Sequence, residues 1–414
     1  MKIYKYLSET CNRYFDSFKL FEREGNLCKA IEEFCKNPNK NTAKGVYDAF
    51  LYTYRFPGLE EVVEAMHKFE VTASTLIPSQ RDHYMHTVNV FLLGVSIFTC
   101  NKTVQKAVIT SIDYPDRYST IEEEFLFRWG MTSLFHDIGY PLEIAYKTIH
   151  EFSSMMILPN LHCQDDGIVS GHNKREIQRP IAILQFPNID DILYINALLP
   201  SDKCKEEYMK KYPNFRANLP NNIMDALANN ISNYFGIASK EVICEKLKKA
   251  LVSGLEQGLL DHGFYSAIIF LKWHNEAFLK SCWNPAYFYF PIIDAASGIF
   301  LHNAYDYVFN VHPFNLGVLN IEKHPLGFLL ILCDRIQESD RISYGYTKKG
   351  VKFTDCFINF DDNEFVLKLF IALDEDENLA RLKIEDMNSS IRKTININAV
   401  FKKFNIELHL NKFK

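Results

Sequence analysis

Apolar residues recur at three- and four-residue steps near the start of the chain, at Tyr4, Leu7, Cys11, Tyr14, Phe18 and Phe21. That spacing lines one face of a helix. The turn-rich run Asn37-Pro38-Asn39-Lys40-Asn41 and the pair Pro57-Gly58 divide residues 1–80 into helical pieces. Strong helices are predicted over 81–98 and 121–137, the second stopped by Gly139 and Pro141. Prolines at 159, 180, 187, 200, 213 and 220 punctuate short helices in 142–255, with a longer one over 239–257. This stretch reads as an insertion between core helices, which resume at 262–280, 291–309 and 325–340.

The tail changes period. Phe365–Ile371 looks like a buried strand, and Phe404, Ile406, Leu408 and Leu410 alternate with polar residues as in a strand with one wet face. A helix over 374–392 lies between them. The expected fold is mainly α: an N-terminal helical region (1–80) packing on the core, a helical bundle over 81–342 with its insertion, and a small α/β appendage over 343–414.

Composition narrows the class. With 414 residues, 47% hydrophobic and 23% charged, the chain is not largely disordered, and 33 Phe and 22 Tyr supply a large core. A formal charge of −5 leaves no global footprint for nucleic acid, so binding there would need a local basic cleft. The longest apolar stretches, 91–98, 287–293 and 325–333, are shorter than the roughly 18 residues that span a bilayer. The first residues carry no apolar signal-type run. Ten cysteines form no CxxC pair, which fits buried thiols in a reducing cytosol. A cytoplasmic protein without a membrane partner is the expectation.

Candidate chemistry lies in histidines and acids placed inside apolar helices. His136-Asp137 sits in Leu-Phe-His-Asp-Ile-Gly, where two adjacent residues can share one edge of a helix end. An imidazole and a carboxylate in a dry pocket are stabilised by a divalent cation. His86 enters the apolar helix that begins near Arg81, His262 opens another, and His302 follows Gly-Ile-Phe-Leu. Asp334 ends the most apolar run of the chain and needs a cation or an arginine beside it.

The order His86, His136-Asp137, His262, His302, Asp334 resembles the HD superfamily of metal-dependent phosphohydrolases in its binuclear form. The local motifs, His-Thr-x-x-Val, Leu-Phe-His-Asp-Ile-Gly and Leu-x-x-Cys-Asp-Arg, carry the same likeness, which covers about 81–341. The resemblance implies an HD-type helical bundle and one ion held by His86, His136, Asp137 and Asp334. It implies a second ion held by Asp137, His262 and His302, with Asp137 bridging. The metals, whether Fe, Mn, Mg, Zn, Ni or Co, are not distinguished. Tyr140 stands where members acting on cyclic dinucleotides carry Lys, and their Gly-Tyr-Pro motif is missing from the His262 region, so that substrate is not assigned.

Two such ions would create a bridging hydroxide to attack a phosphate ester, in a nucleotide, a phosphomonoester or a phosphodiester. Arg81, Arg128, Lys147 and Arg335 are candidates to neutralise phosphate charge, as is the turn over 171–175, though solvated surface roles fit them too. His83, one turn before His86, is a candidate second-sphere or acid residue. His324, just before the Pro325 helix, reads as a helix-start residue. Two alternatives stand beside hydrolysis: a di-iron oxygenase on the same scaffold, and a non-catalytic metal-stabilised interaction protein. The expected ligand is a phosphate-containing small molecule or nucleotide. The insertion and the appendage could serve substrate choice or homo-oligomer formation.

Overall fold

Fifteen of the eighteen residues of the His83–Cys100 helix are buried, as a helix apolar on every side requires. Around it the computed structural model packs the helices Ile3–Phe18, Lys40–Tyr54, Ile121–Leu134 and Pro325–Gln337. The structure describes residues 2–18, 21–54, 59–61, 63–65, 68, 83–112, 120–144, 222–237, 239–256, 261–279, 291–337, 351, 353–373 and 375–410. The described part is mostly helical, with a small three-stranded sheet near the C-terminus. Most of the predicted insertion, 145–221, lies outside the described residues, as does the Pro57-Gly58 break.

Local chemistry explains where the helices start and stop. The Ile121–Leu134 helix opens with a capping box, in which Thr120 takes the Glu123 N–H and Glu123 answers the Thr120 N–H, and its first turn holds Glu122, Glu123 and Glu124. It ends at Phe135, earlier than the predicted 137. Residues 135–139 form a turn instead: Ile138 N–H donates to Phe135 O at 3.4 Å and Tyr140 N–H to Asp137 O at 3.0 Å. The His136-Asp137 pair therefore stands in a tight turn after the helix, not on its last edge. Helix resumes over 140–144. The Ile223–Phe235 helix, within the span read as insertion, belongs to the core through Ile223, Met224, Ala226, Leu227, Ala228 and Ile231.

The tail forms a sheet of order β1-β2-β3, with β1 Phe353–Phe360, β2 Glu364–Ile371 and β3 Lys403–Leu410. β1 and β2 are an antiparallel hairpin, while β2 and β3 run parallel, connected through the Glu377–Thr394 helix. β2 buries alternate residues Phe365, Leu367, Leu369 and Ile371, and β1 is a strand that the sequence pattern did not reveal. The sheet shares one hydrophobic core with the helices, from Ile3 to Ile406. Tyr6 Oη donates to Phe360 O at 2.8 Å, Asn101 Nδ2 to Val400 O at 3.2 Å and Leu319 N–H to Thr394 O at 2.8 Å. No single described helix is long and apolar enough to cross a membrane. Among the described cysteines, Cys11, Cys28, Cys35, Cys100, Cys244, Cys333 and Cys356 are free thiols.

Candidate metal centre

Five elements bring the six predicted ligands together. His86 lies in the first turn of the His83–Cys100 helix and His136-Asp137 in the turn after Ile121–Leu134. His262 opens the His262–Leu279 helix, His302 is near the end of Ile293–Ala304, and Asp334 is in the last turn of Pro325–Gln337. His86 Nε2 is 2.9 Å from Asp334 Oδ1 and 3.9 Å from Asp137 Oδ2. His136 Nε2 is 3.4 Å from Asp137 Oδ1 and 3.7 Å from Asp334 Oδ1. His262 Nε2 is 3.6 Å from Asp137 Oδ1 and 3.3 Å from His302 Nε2.

The shorter of these separations, 2.9, 3.3 and 3.4 Å, suit donors around a shared cation, while those of 3.6–3.9 Å are wider. Bonds of about 2.1 Å at right-angled to tetrahedral geometry leave neighbouring donors about 3.0–3.4 Å apart. Two groups of donors, His86 with His136 and Asp334, and His136 with Asp137 and His302, each lie within 4.8 Å of one another and could hold a metal ion. Ring orientation agrees. His136 Nδ1–H donates to Ser133 O at 2.7 Å and His302 Nδ1–H to Ile299 O at 2.5 Å, which leaves each Nε2 lone pair directed inward. His136 Nε2 is fully buried and makes no hydrogen bond, a costly arrangement for a polar atom unless something coordinates it.

Electrostatics points the same way. Burial drives His302 down to about 3, helped by the adjacent His136 and His262. In His262 the lowering by burial is outweighed by the Glu143 hydrogen bond and by the charges of Asp137, Glu143 and Asp261, so it rises to about 9. Burial also lowers His136, and there Asp137 and Asp334 outweigh it, leaving a net rise. The carboxylates demand positive charge at the centre, while the crowded rings limit how many protons can supply it. A divalent cation answers both. His86, His136 and Asp137 are buried, whereas the side chains of Asp334 and His262 keep 20% and 21% exposure and form the open side.

Close main-chain approach sets the ligand spacing. A Cβ on Gly139 would stand 2.5 Å from Ser266 N and 2.7 Å from His262 O, so only glycine lets the His136-Asp137 turn touch the start of the His262 helix. Gly139 N–H donates to Ser266 Oγ at 2.8 Å across that contact. A Cβ on Gly263 would come 2.9 Å from His302 Cε1.

The proposed catalytic residues fare differently. His83 is buried and packs against Tyr140, the rings tilted by 38° with centroids 3.9 Å apart, and Tyr140 borders His262 at 5.7 Å. Arg128 is buried in an ion-pair cluster: its Nε is 3.4 Å from Glu124 Oε2 and Nη1 pairs with Asp294, which also accepts from Asn230 Nδ2 at 2.8 Å. Arg335 pairs with Asp306 at 3.3 Å, and the Thr394 hydroxyl donates to the same carboxylate. Arg81, Lys147 and the 171–175 turn lie outside the described residues. His324 is a helix-start residue, its Nδ1 accepting from Gly327 N–H at 3.0 Å.

Two supporting residues escaped the sequence reading. Glu143 Oε2 accepts from His262 Nδ1 at 2.6 Å. Tyr47 Oη lies 2.5 Å from Thr87 Oγ1 and donates to Leu134 O at 2.6 Å, tying the neighbour of His86 to the helix end before His136. The signal for Glu143 was its place six residues after Asp137; Tyr47 carried none.

Comparison with protein-family models, with curated proteins and with solved structures finds no match to this chain. The molecule is thus defined by its own geometry: a mostly helical protein with a small C-terminal sheet and buried His/Asp clusters that could hold a metal ion.

Proposed function

We propose that this protein is a metal-dependent phosphohydrolase of the HD type that cleaves a phosphate ester in a nucleotide, phosphomonoester or phosphodiester. One observation carries the reading: four imidazoles and two carboxylates, spread from position 86 to 334, converge with donor separations of 2.9–3.9 Å. In this assignment His86, His136, Asp137 and Asp334 hold one divalent cation and Asp137, His262 and His302 a second. Cations so held acidify coordinated water and offset the charge that develops on a phosphoryl group. Mixed nitrogen and oxygen donors suit divalent ions in general and do not separate Fe, Mn, Mg, Zn, Ni and Co.

The chain's own residues do the rest. Backbone carbonyls of Ser133 and Ile299 fix the tautomers of His136 and His302, so their Nε2 atoms stay available as ligands. Asp137 faces both halves of the cluster, within 3.9 Å of His86 and 3.6 Å of His262. The partly exposed edge at Asp334 and His262 is the side from which a phosphate would arrive. His83, flanking the cluster through Tyr140, is assigned to hold the proton delivered to the leaving oxygen. Arg128 is reassigned to structure, because Glu124 and Asp294 already match its charge.

The test is Asp137→Ala, assayed for metal content and for turnover against nucleotides, cyclic nucleotides, oligonucleotides and generic phosphate esters. Loss of both bound metal and turnover is expected. A variant that keeps full activity removes Asp137 from its central role. Oxygen-dependent turnover in the wild type would favour a di-iron oxygenase instead, and metal binding without any turnover would favour an interaction protein.

A further inference from the structure

The histidines of the cluster are not held alike. His136 and His302 each donate Nδ1–H to a carbonyl three residues earlier, so the adjacent main chain itself orients the ring. His262 relies on a side chain from a different segment: its Nδ1 is 2.6 Å from Glu143 Oε2. His136 is wholly buried and His302 is 5% exposed, so packing holds those rings as well. The His262 side chain keeps 21% exposure at the first position of its helix, where packing is weakest.

Glu143 could in principle serve only to cap that helix, since it also accepts the His262 N–H at 3.3 Å. Another residue already fills that role. Asp261 Oδ1 accepts the Phe264 N–H at 2.6 Å, the bond an N-cap side chain makes. The shorter and better placed contact of Glu143 is to the ring. Glu143 also belongs to the 140–144 helical segment that follows the His136-Asp137 turn. One short segment thus grips His262 from both ends, with Asp137 facing Nε2 at 3.6 Å and Glu143 binding Nδ1.

We propose that Glu143 is the positioning residue of the second cation position, fixing the His262 ring so that Asp137, His262 and His302 can bind an ion together. This rests on the two-cation reading above. It makes the two positions separable, because the first (His86, His136, Asp137 and Asp334) contains no ligand that Glu143 touches. Removal of a supporting hydrogen bond of this kind weakens metal affinity about 10–100-fold.

The experiment titrates the metal-free full chain with Co²⁺, followed by visible absorption and calorimetry. Wild type is expected to take up two ions per chain. Glu143→Ala should bind the first with wild-type affinity and the second about 10–100-fold more weakly. Glu143→Gln, whose amide oxygen still accepts from Nδ1–H, should recover most of that loss. His262→Ala should bind one ion only. Thermal unfolding of each variant checks that the fold is intact. Glu143→Ala binding both ions as wild type does, weakening both equally, or failing to be rescued by Gln overturns the positioning role. A wild-type chain that takes up fewer than two Co²⁺ overturns the two-cation reading, and the inference falls with it.

Discussion

Substituting Gly139 by Ala perturbs the candidate centre without replacing any of its proposed donor side chains. The new Cβ would meet three main-chain atoms: Ser266 N at 2.5 Å, His262 O at 2.7 Å and the carbonyl carbon of Tyr265 at 2.9 Å. Backbone cannot swing aside as a side chain can. To restore a contact of 3.4 Å, the start of the His262 helix must retreat by about 0.9 Å. Taken along the direction of the ligands, that retreat stretches the 3.6 Å gap between His262 Nε2 and Asp137 Oδ1 to about 4.5 Å. Two bonds of about 2.1 Å span about 4.2 Å at most, even when opposed, so one ion can no longer bind both donors. The first position contains no residue of that helix and should keep its ion. Overpacking of this kind costs about 1–3 kcal/mol of stability. Metal content after Co²⁺ saturation and urea unfolding measure the two effects. One ion per chain and a lowered unfolding midpoint are expected. If Gly139→Ala binds two ions as tightly as wild type with unchanged stability, the turn does not set the ligand spacing.

Two further substitutions test the surroundings. Arg128→Met leaves the buried carboxylates of Glu124 and Asp294 without their cation and should cost about 3–5 kcal/mol in urea unfolding. A loss below about 1 kcal/mol, with a raised KM, would return Arg128 to a substrate-binding role. His324→Asn keeps a helix-capping acceptor but removes a titrating group. Burial holds His324 down to about 3 from the ordinary 6.5, so the neutral ring favours the folded state above about pH 6.5 and that advantage drains away as pH falls toward 3. At pH 5 the loss amounts to about 2 kcal/mol. The stability difference between pH 8 and pH 5 should therefore shrink by about 2 kcal/mol in His324→Asn. An unchanged difference would mean that the ring is not neutral and buried in the native state.

Much of this architecture is legible from periodicity. Helices predicted over 81–98, 262–280 and 325–340 occupy His83–Cys100, His262–Leu279 and Pro325–Gln337, and the two predicted strands fall on β2 and β3. Their apolar residues face one core, so pattern and burial coincide. β1 escaped because only Ile358 and Phe360 of its eight residues are buried, too few for a period to stand out. The six candidate metal donors were legible because acids and imidazoles set within or beside apolar helices have few other uses. Glu143 was not, since a carboxylate at a helix start looks like any surface charge until the His262 helix folds back on it. The same holds for Arg128. Its spacing from Glu124 is a local feature, but Asp294 lies 166 residues away and only the fold joins them.

The two halves of the centre differ in how they are built, and the difference has a structural source. His86 and Asp334 stand on helices buried over most of their length, and Tyr47 locks the first of these to the end of the Ile121–Leu134 helix through Thr87 and the Leu134 carbonyl. The Lys40–Tyr54 helix thus ties the residue after His86 to the end of the helix before His136. His262, by contrast, sits at a helix start on the exposed edge, secured by one carboxylate and by the close approach at Gly139. If the centre binds metal and admits a substrate as proposed, one side of it has to stay unpacked. A donor on that side loses the support of the core and needs polar contacts to replace it. His262 with Glu143 meets that requirement, whereas His136 and His302, deeper in the bundle, are supported by main-chain carbonyls and packing alone.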